Sequence, residues 1–130
     1  MAYSYYNPNP IKNNTRDCAI RAVAKALDVD WENAFARISA MAYGMGETMD
    51  SNAVWGAVLR QNGFYRDVIP NTCPYCYTIS NFCKDHPKGI FVLATGDHAV
   101  TVVDGVIYDT WNTSELIPQY YWYKEDKGEE

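Results

Sequence analysis

Histidine is scarce in this chain: among 130 residues only His86 and His98 carry an imidazole. Any general-base chemistry that needs one therefore has two candidates. Long apolar runs are missing too, none approaching the ~20 residues that a membrane helix requires. No membrane partner is expected. Basic residues number 11 against 16 acidic ones, a net charge of −5, and no basic stripe gathers them. That excludes a protein that holds nucleic acid by its phosphates. The first ten residues lack the basic start and apolar middle of a signal peptide, so a cytoplasmic location is expected. Thiols stay reduced there, which points the four cysteines towards catalysis, metal or packing rather than disulfides.

What is present is globular in character: 48% hydrophobic and 21% charged residues, with 11 tyrosines and four tryptophans. The length fits a single domain over residues 1–130, with 1–15 as an extended arm and 125–130 as a frayed, charged tail. Apolar spacing predicts a first helix from about Arg16 to Leu27, with Thr15 as N-cap. Asp30 caps a second helix with Trp31, Ala34, Phe35, Ile38 and Met41 inward. Gly44 and Gly46 end that helix. Asp50 or Ser51 opens a third, with Val54, Trp55, Val58 and Leu59 buried and Gly63 past its end. Phe64 to Ile69 reads as a short strand, and Ile79 to Asp85 as a short helix. Then the period changes. Ile90 to Ala94, His98 to Val103 and Val106 to Asp109 read as strands, and Tyr120 to Lys124 as an edge strand. Helices first and an antiparallel meander second make an α+β domain.

Cys18 falls in the first turn of the first helix, among unpaired N–H groups at the positive end of the dipole. That position favours thiolate over thiol. About eighty residues later, Asp104-Gly105 predicts a two-residue type I′ hairpin turn. Such a turn pairs Val103 with Val106, so paired positions sum to 209. His98 then shares a face with Val100, Val102, Ile107 and Asp109, and Asp109 is its diagonal neighbour. Asn112 falls on the other face unless a bulge intervenes. An imidazole can activate a thiol, and a carboxylate can hold the imidazole's second nitrogen. The Cys18 backbone N–H and the amide of Asn13 or Asn14 are candidate donors to an oxyanion.

The order of these pieces resembles the papain-like cysteine peptidase superfamily. Asp17-Cys18 opening an Ala-rich helix, and Gly96-Asp97-His98-Ala99-Val100 opening a strand, are similar to the double-glycine-leader (bacteriocin-processing) branch. Small papain-like proteins of bacteria and their phages are the nearest likeness, over about residues 13 to 112. The resemblance implies a papain-like fold and a hydrolase acting on a peptide, isopeptide or amide bond of a peptide or protein substrate. It implies Cys18 as nucleophile, His98 as base and Asp109 as orienting residue, with no cofactor required. Lys12 stands where papain-like enzymes usually carry an oxyanion-binding glutamine, so Asn13 or Asn14 would have to substitute. Ala19 stands where the leader-peptidase branch often has glycine.

Two other readings compete. Cys73-Pro74-Tyr75-Cys76 has the form of a redox dithiol, and with Cys83 and His86 it gives four ligands for a structural zinc. Alternatively, the chain is a non-catalytic binding or inhibitory module of the same fold. Its contact surface would then be Tyr3, Tyr5, Tyr6 and the Tyr120–Tyr123 stretch.

Overall fold

Alanines and one valine recur along the first helix, and small side chains let a helix approach a sheet closely. In the computed structural model, which describes residues 3–72 and 74–124, α1 (Cys18–Leu27) buries Ala22, Val23, Ala24 and Ala26. Its N-cap is Asp17, with no side-chain cap, so Thr15 does not take the role expected of it. The Asp17 carboxylate is engaged elsewhere. In α2 (Trp31–Met45), Asp30 caps by accepting from the Asn33 N–H, and Ala34, Ile38 and Ala42 face inward. Gly44 stays inside this helix, and the left-handed Gly46 ends it. Phe35, expected inside, is 38% exposed and stacks on Trp31. In α3 (Asn52–Gln61), Ser51 caps the start and Val54, Trp55, Val58 and Leu59 are buried. Gly63 follows at φ 90°, as a residue just past a helix end should.

The remaining elements are β1 (Tyr3–Tyr5), β2 (Phe64–Val68), α4 (Ile79–Asp85), β3 (Ile90–Ala94), β4 (Ala99–Val103), β5 (Val106–Asp109) and β6 (Tyr120–Lys124). Among the described residues these make one mixed sheet of six strands, in the order β1-β5-β4-β3-β6-β2, and four helices. The β4–β5 register is Thr101 with Tyr108, Val102 with Ile107 and Val103 with Val106, the sum of 209 that the turn dictates. Asp104 and Gly105 both have positive φ, the type I′ signature. Two segments differ from expectation. Tyr3–Tyr5 is no mere arm, because it pairs parallel to β5 as an edge strand. Tyr120–Lys124 lies inside the sheet, hydrogen-bonded to β3 on one side and β2 on the other. The expected frayed tail at 125–130 lies outside the described residues.

Strand alternation sorts the core into two layers. Val92, Ala94 and Trp122 face α1, α2 and α3. Leu93, Val100, Val102 and Ile107 face α4 through Ile79 and Phe82. The buried Thr101 hydroxyl donates to the Ala22 carbonyl at 2.6 Å, tying β4 to α1. No described helix is long and apolar enough to cross a membrane.

Gly56 of α3 lies directly under Trp122: a Cβ there would stand 2.8 Å from the indole Cζ2. Overpacking costs about 1–3 kcal/mol, against a helix-propensity gain of about 1 kcal/mol for alanine. Gly56→Ala should therefore lower the urea unfolding midpoint. An unchanged or raised midpoint would contradict this packing.

Candidate active site

Cys18 is the first residue of α1, so its own N–H and that of Ala19 lack helical acceptors, whereas the Arg21 N–H already reaches the Asp17 carbonyl. Burial works against the Cys18 thiolate. Hydrogen bonds from the His98 side chain and the Ala99 backbone N–H, then the charges of His98 and Arg21, outweigh it and hold the thiol below its ordinary pKa. His98 immediately precedes β4. Its Nε2 meets Asp109 Oδ2 at 2.7 Å, which leaves Nδ1 for the sulfur. Burial lowers the His98 pKa, but the hydrogen bonds to Asp109 and Cys18 and the charges of both raise it from 6.5 to about 9. At neutral pH both shifts favour a thiolate–imidazolium pair.

Asp109 is 1% exposed and fully engaged. Its Oδ2 holds His98, while Oδ1 accepts from Arg21 Nη2 at 3.0 Å and from the Thr110 N–H at 2.7 Å. Arg21, itself buried, donates its other fork to Asp17. The second oxygen of Asp17 accepts the Trp31 indole N–H at 2.9 Å. Trp31, Asp17, Arg21, Asp109, His98 and Cys18 thus form one chain of hydrogen bonds from α2 to the sulfur.

His98 and Asp109 meet across the hairpin as expected of diagonal neighbours, with Cys18 beside them. The face shared with Val100, Val102 and Ile107 is the one α4 covers. Regular β4–β5 pairing stops at Thr101 with Tyr108, before either His98 or Asp109. Asp109 still belongs to β5, paired with Tyr5 of β1, and its carboxylate reaches both Arg21 of α1 and His98. Asn112 is occupied locally, its Oδ1 accepting from the Ser114 N–H. Asn13 and Asn14 are both exposed, and neither lines the cleft at Cys18.

That cleft holds about 400 Å³ between the start of α1, the start of α3 and the Gly96–Ala99 segment. Phe35, Met49 and Trp55 give it apolar walls, and Asn52 supplies a side-chain amide. Asn52 Oδ1 accepts from the Trp55 indole N–H at 3.0 Å, which leaves the amide NH₂ as the donating end. Trp111 is half exposed beside His98, with ring centroids 5.8 Å apart. Arg21, Asp17 and Asn52 were not singled out from the sequence. The only available signal for the first two was an Asp–Arg pair four residues apart flanking the cysteine.

The other histidine lies elsewhere. His86 stacks on Phe82 with ring centroids 3.9 Å apart, and its Nδ1 is 3.1 Å from the Phe82 carbonyl. Of the zinc candidates, Cys73 lies outside the described residues, Cys76 is exposed and Cys83 is buried. Burial raises the Cys83 pKa, which disfavours the thiolate a metal needs. Among the described residues no three His, Cys, Asp or Glu side chains gather closely enough to hold a metal ion.

The described residues make a mixed α+β protein with a thiol, an imidazole and a carboxylate in line. No protein-family model, curated protein or solved structure matches the chain.

Arg21 is the one cation between two buried carboxylates, Asp17 and Asp109. Removing one partner from a buried ion pair costs about 3–5 kcal/mol. Arg21→Met should lower the unfolding free energy by about that amount. A loss below about 1 kcal/mol, the range of a surface pair, would contradict the buried network.

Proposed function

We propose that this protein is a papain-like thiol hydrolase that cleaves a peptide, isopeptide or amide bond with Cys18 as nucleophile, His98 as base and Asp109 as orienting residue. One observation carries the reading: the hydrogen-bonded line from Cys18 through His98 to Asp109 at the wall of an open cleft. The thiolate attacks the carbonyl carbon, and the carbonyl electrons move onto oxygen. His98, protonated in the resting pair, gives its proton to the leaving amine and afterwards takes one from the water that hydrolyses the thioester. Asp109 holds Nε2, so that Nδ1 faces the sulfur. The free N–H groups of Cys18 and Ala19 are the backbone donors to the oxyanion, and Asn52 is the side-chain amide that lines the cleft. Asn13 and Asn14 do not take that part. A reducing cytoplasmic setting suits such a thiol.

The test uses an electrophilic thiol probe, iodoacetamide, with the modified cysteine located by mass spectrometry. At pH 7 Cys18 should alkylate faster than the exposed Cys76, and Cys18→Ala should lose both this fast phase and any amide hydrolysis. Equal rates at the two cysteines would sink the reading.

The pH profile follows from the two shifts. The pair exists above the lowered Cys18 pKa and below the His98 pKa of about 9. Asp109→Asn removes two influences that raise the His98 value. The alkaline limb of activity should then move down from about 9 towards 6.5. An alkaline limb left in place would show that Asp109 does not set the imidazole.

A further inference from the structure

A second cavity, of about 480 Å³, lies between α3 and the β6–β2 pair, and Asn52 lines both it and the Cys18 cleft. Its helix wall includes the row Asn52, Gly56 and Arg60, and its sheet wall is Arg66, Tyr120 and Trp122. Arg66 pairs with Trp122 across the ladder, and Tyr120 follows two residues along on the same face. Each cation lies over a ring: Arg60 Cζ is 5.0 Å from the Trp122 centroid, and Arg66 Cζ is 4.2 Å from that of Tyr120. Stacking uses the guanidinium faces, and Arg66 also bonds the Tyr120 hydroxyl, which still leaves N–H edges of both to donate. The ion pairs among the described residues belong to Arg21 and His98, so neither Arg60 nor Arg66 meets a described carboxylate.

The tryptophan under Arg60 is itself unusual. Trp122 is 3% exposed, and its indole N–H has no hydrogen-bond partner among the described residues. An indole N–H can only donate, and leaving a buried donor unsatisfied is costly. The Cε2–Cζ2 edge beside Nε1 lies against Gly56, which also lines the cavity. Two guanidinium forks lining one cavity, in a protein of net charge −5, form the donor set of an oxyanion site.

We propose that this cavity binds an oxyanion, a carboxylate or a phosphate, through Arg60 and Arg66, with the buried Trp122 indole beside them as its reporter. A ligand long enough to span Asn52 would place its acidic group here while its reacting bond lies at Cys18. That extension rests on the thiol-hydrolase reading, whereas oxyanion binding stands apart from it.

The experiment follows the tryptophan indole N–H resonances by NMR, that of Trp122 being assigned with Trp122→Phe. N-acetylglutamate and inorganic phosphate are titrated separately at constant ionic strength. The Trp122 resonance should shift saturably while that of Trp31, held by Asp17, stays in place. An Arg60→Gln/Arg66→Gln double variant should weaken binding by on the order of tenfold or more. Whichever anion saturates the site identifies its chemistry. No saturable shift with either anion, or an unchanged affinity in the double variant, overturns the proposal. Cys18 alkylation in the same double variant should be unaltered, which separates the fate of this site from that of the nucleophile.

Discussion

The arrangement depends on how one buried carboxylate is shared. Asp109 gives one oxygen to His98 and the other to Arg21 and the Thr110 N–H. A carboxylate in the interior needs such partners, and its hydrogen bond and charge raise the His98 pKa. Arg21 therefore does more than balance charge. It holds the other oxygen of Asp109, and through Asp17 and Trp31 it ties that carboxylate to the packing of α1 on α2. The Thr101 bond to Ala22 fixes the same helix to β4. Cys18 and His98 are thus set on two elements whose relative position is held from both ends.

This construction has a cost that the proposed thiol chemistry would explain. Buried ion networks are often no more stabilising than well-packed apolar residues of the same size. A fold selected for stability alone gains little from placing Asp17, Arg21 and Asp109 inside. A site that must keep an imidazolium beside a thiolate needs them. Asp109 and Cys18 favour the protonated His98 ring, and the protonated ring favours the thiolate.

Much of the frame was legible from local rules. The Asp104-Gly105 turn and period-two alternation specify the β4–β5 register, and that register formed. Ser51, Asp30 and Gly63 mark helix boundaries for the capping reasons that apply to isolated helices. What escaped was decided by long-range partners. The β4–β5 pairing ends before His98 and Asp109, and what holds Asp109 there instead is β1, whose pairing with β5 the sequence does not announce. Asp17 and Arg21 look like a surface pair until Asp109 arrives 88 residues later to bury it. Helical period cannot tell a core position from a cleft wall, which is why Phe35 was misplaced. The Tyr120–Lys124 strand could be recognised, but its place between β3 and β2 depends on partners on both sides. The amide donor was sought beside the cysteine, while the amide that lines the cleft comes from the start of α3.

The coupling between thiol and imidazole is the central claim, and titration of the His98 ring by ¹⁵N NMR addresses it directly. The account predicts that His98 titrates near 9 in the intact protein. In Cys18→Ala its pKa should fall, because the hydrogen bond and charge of the sulfur are removed while Asp109 remains. A His98 that titrates near 6.5, and does so equally with and without Cys18, would contradict it.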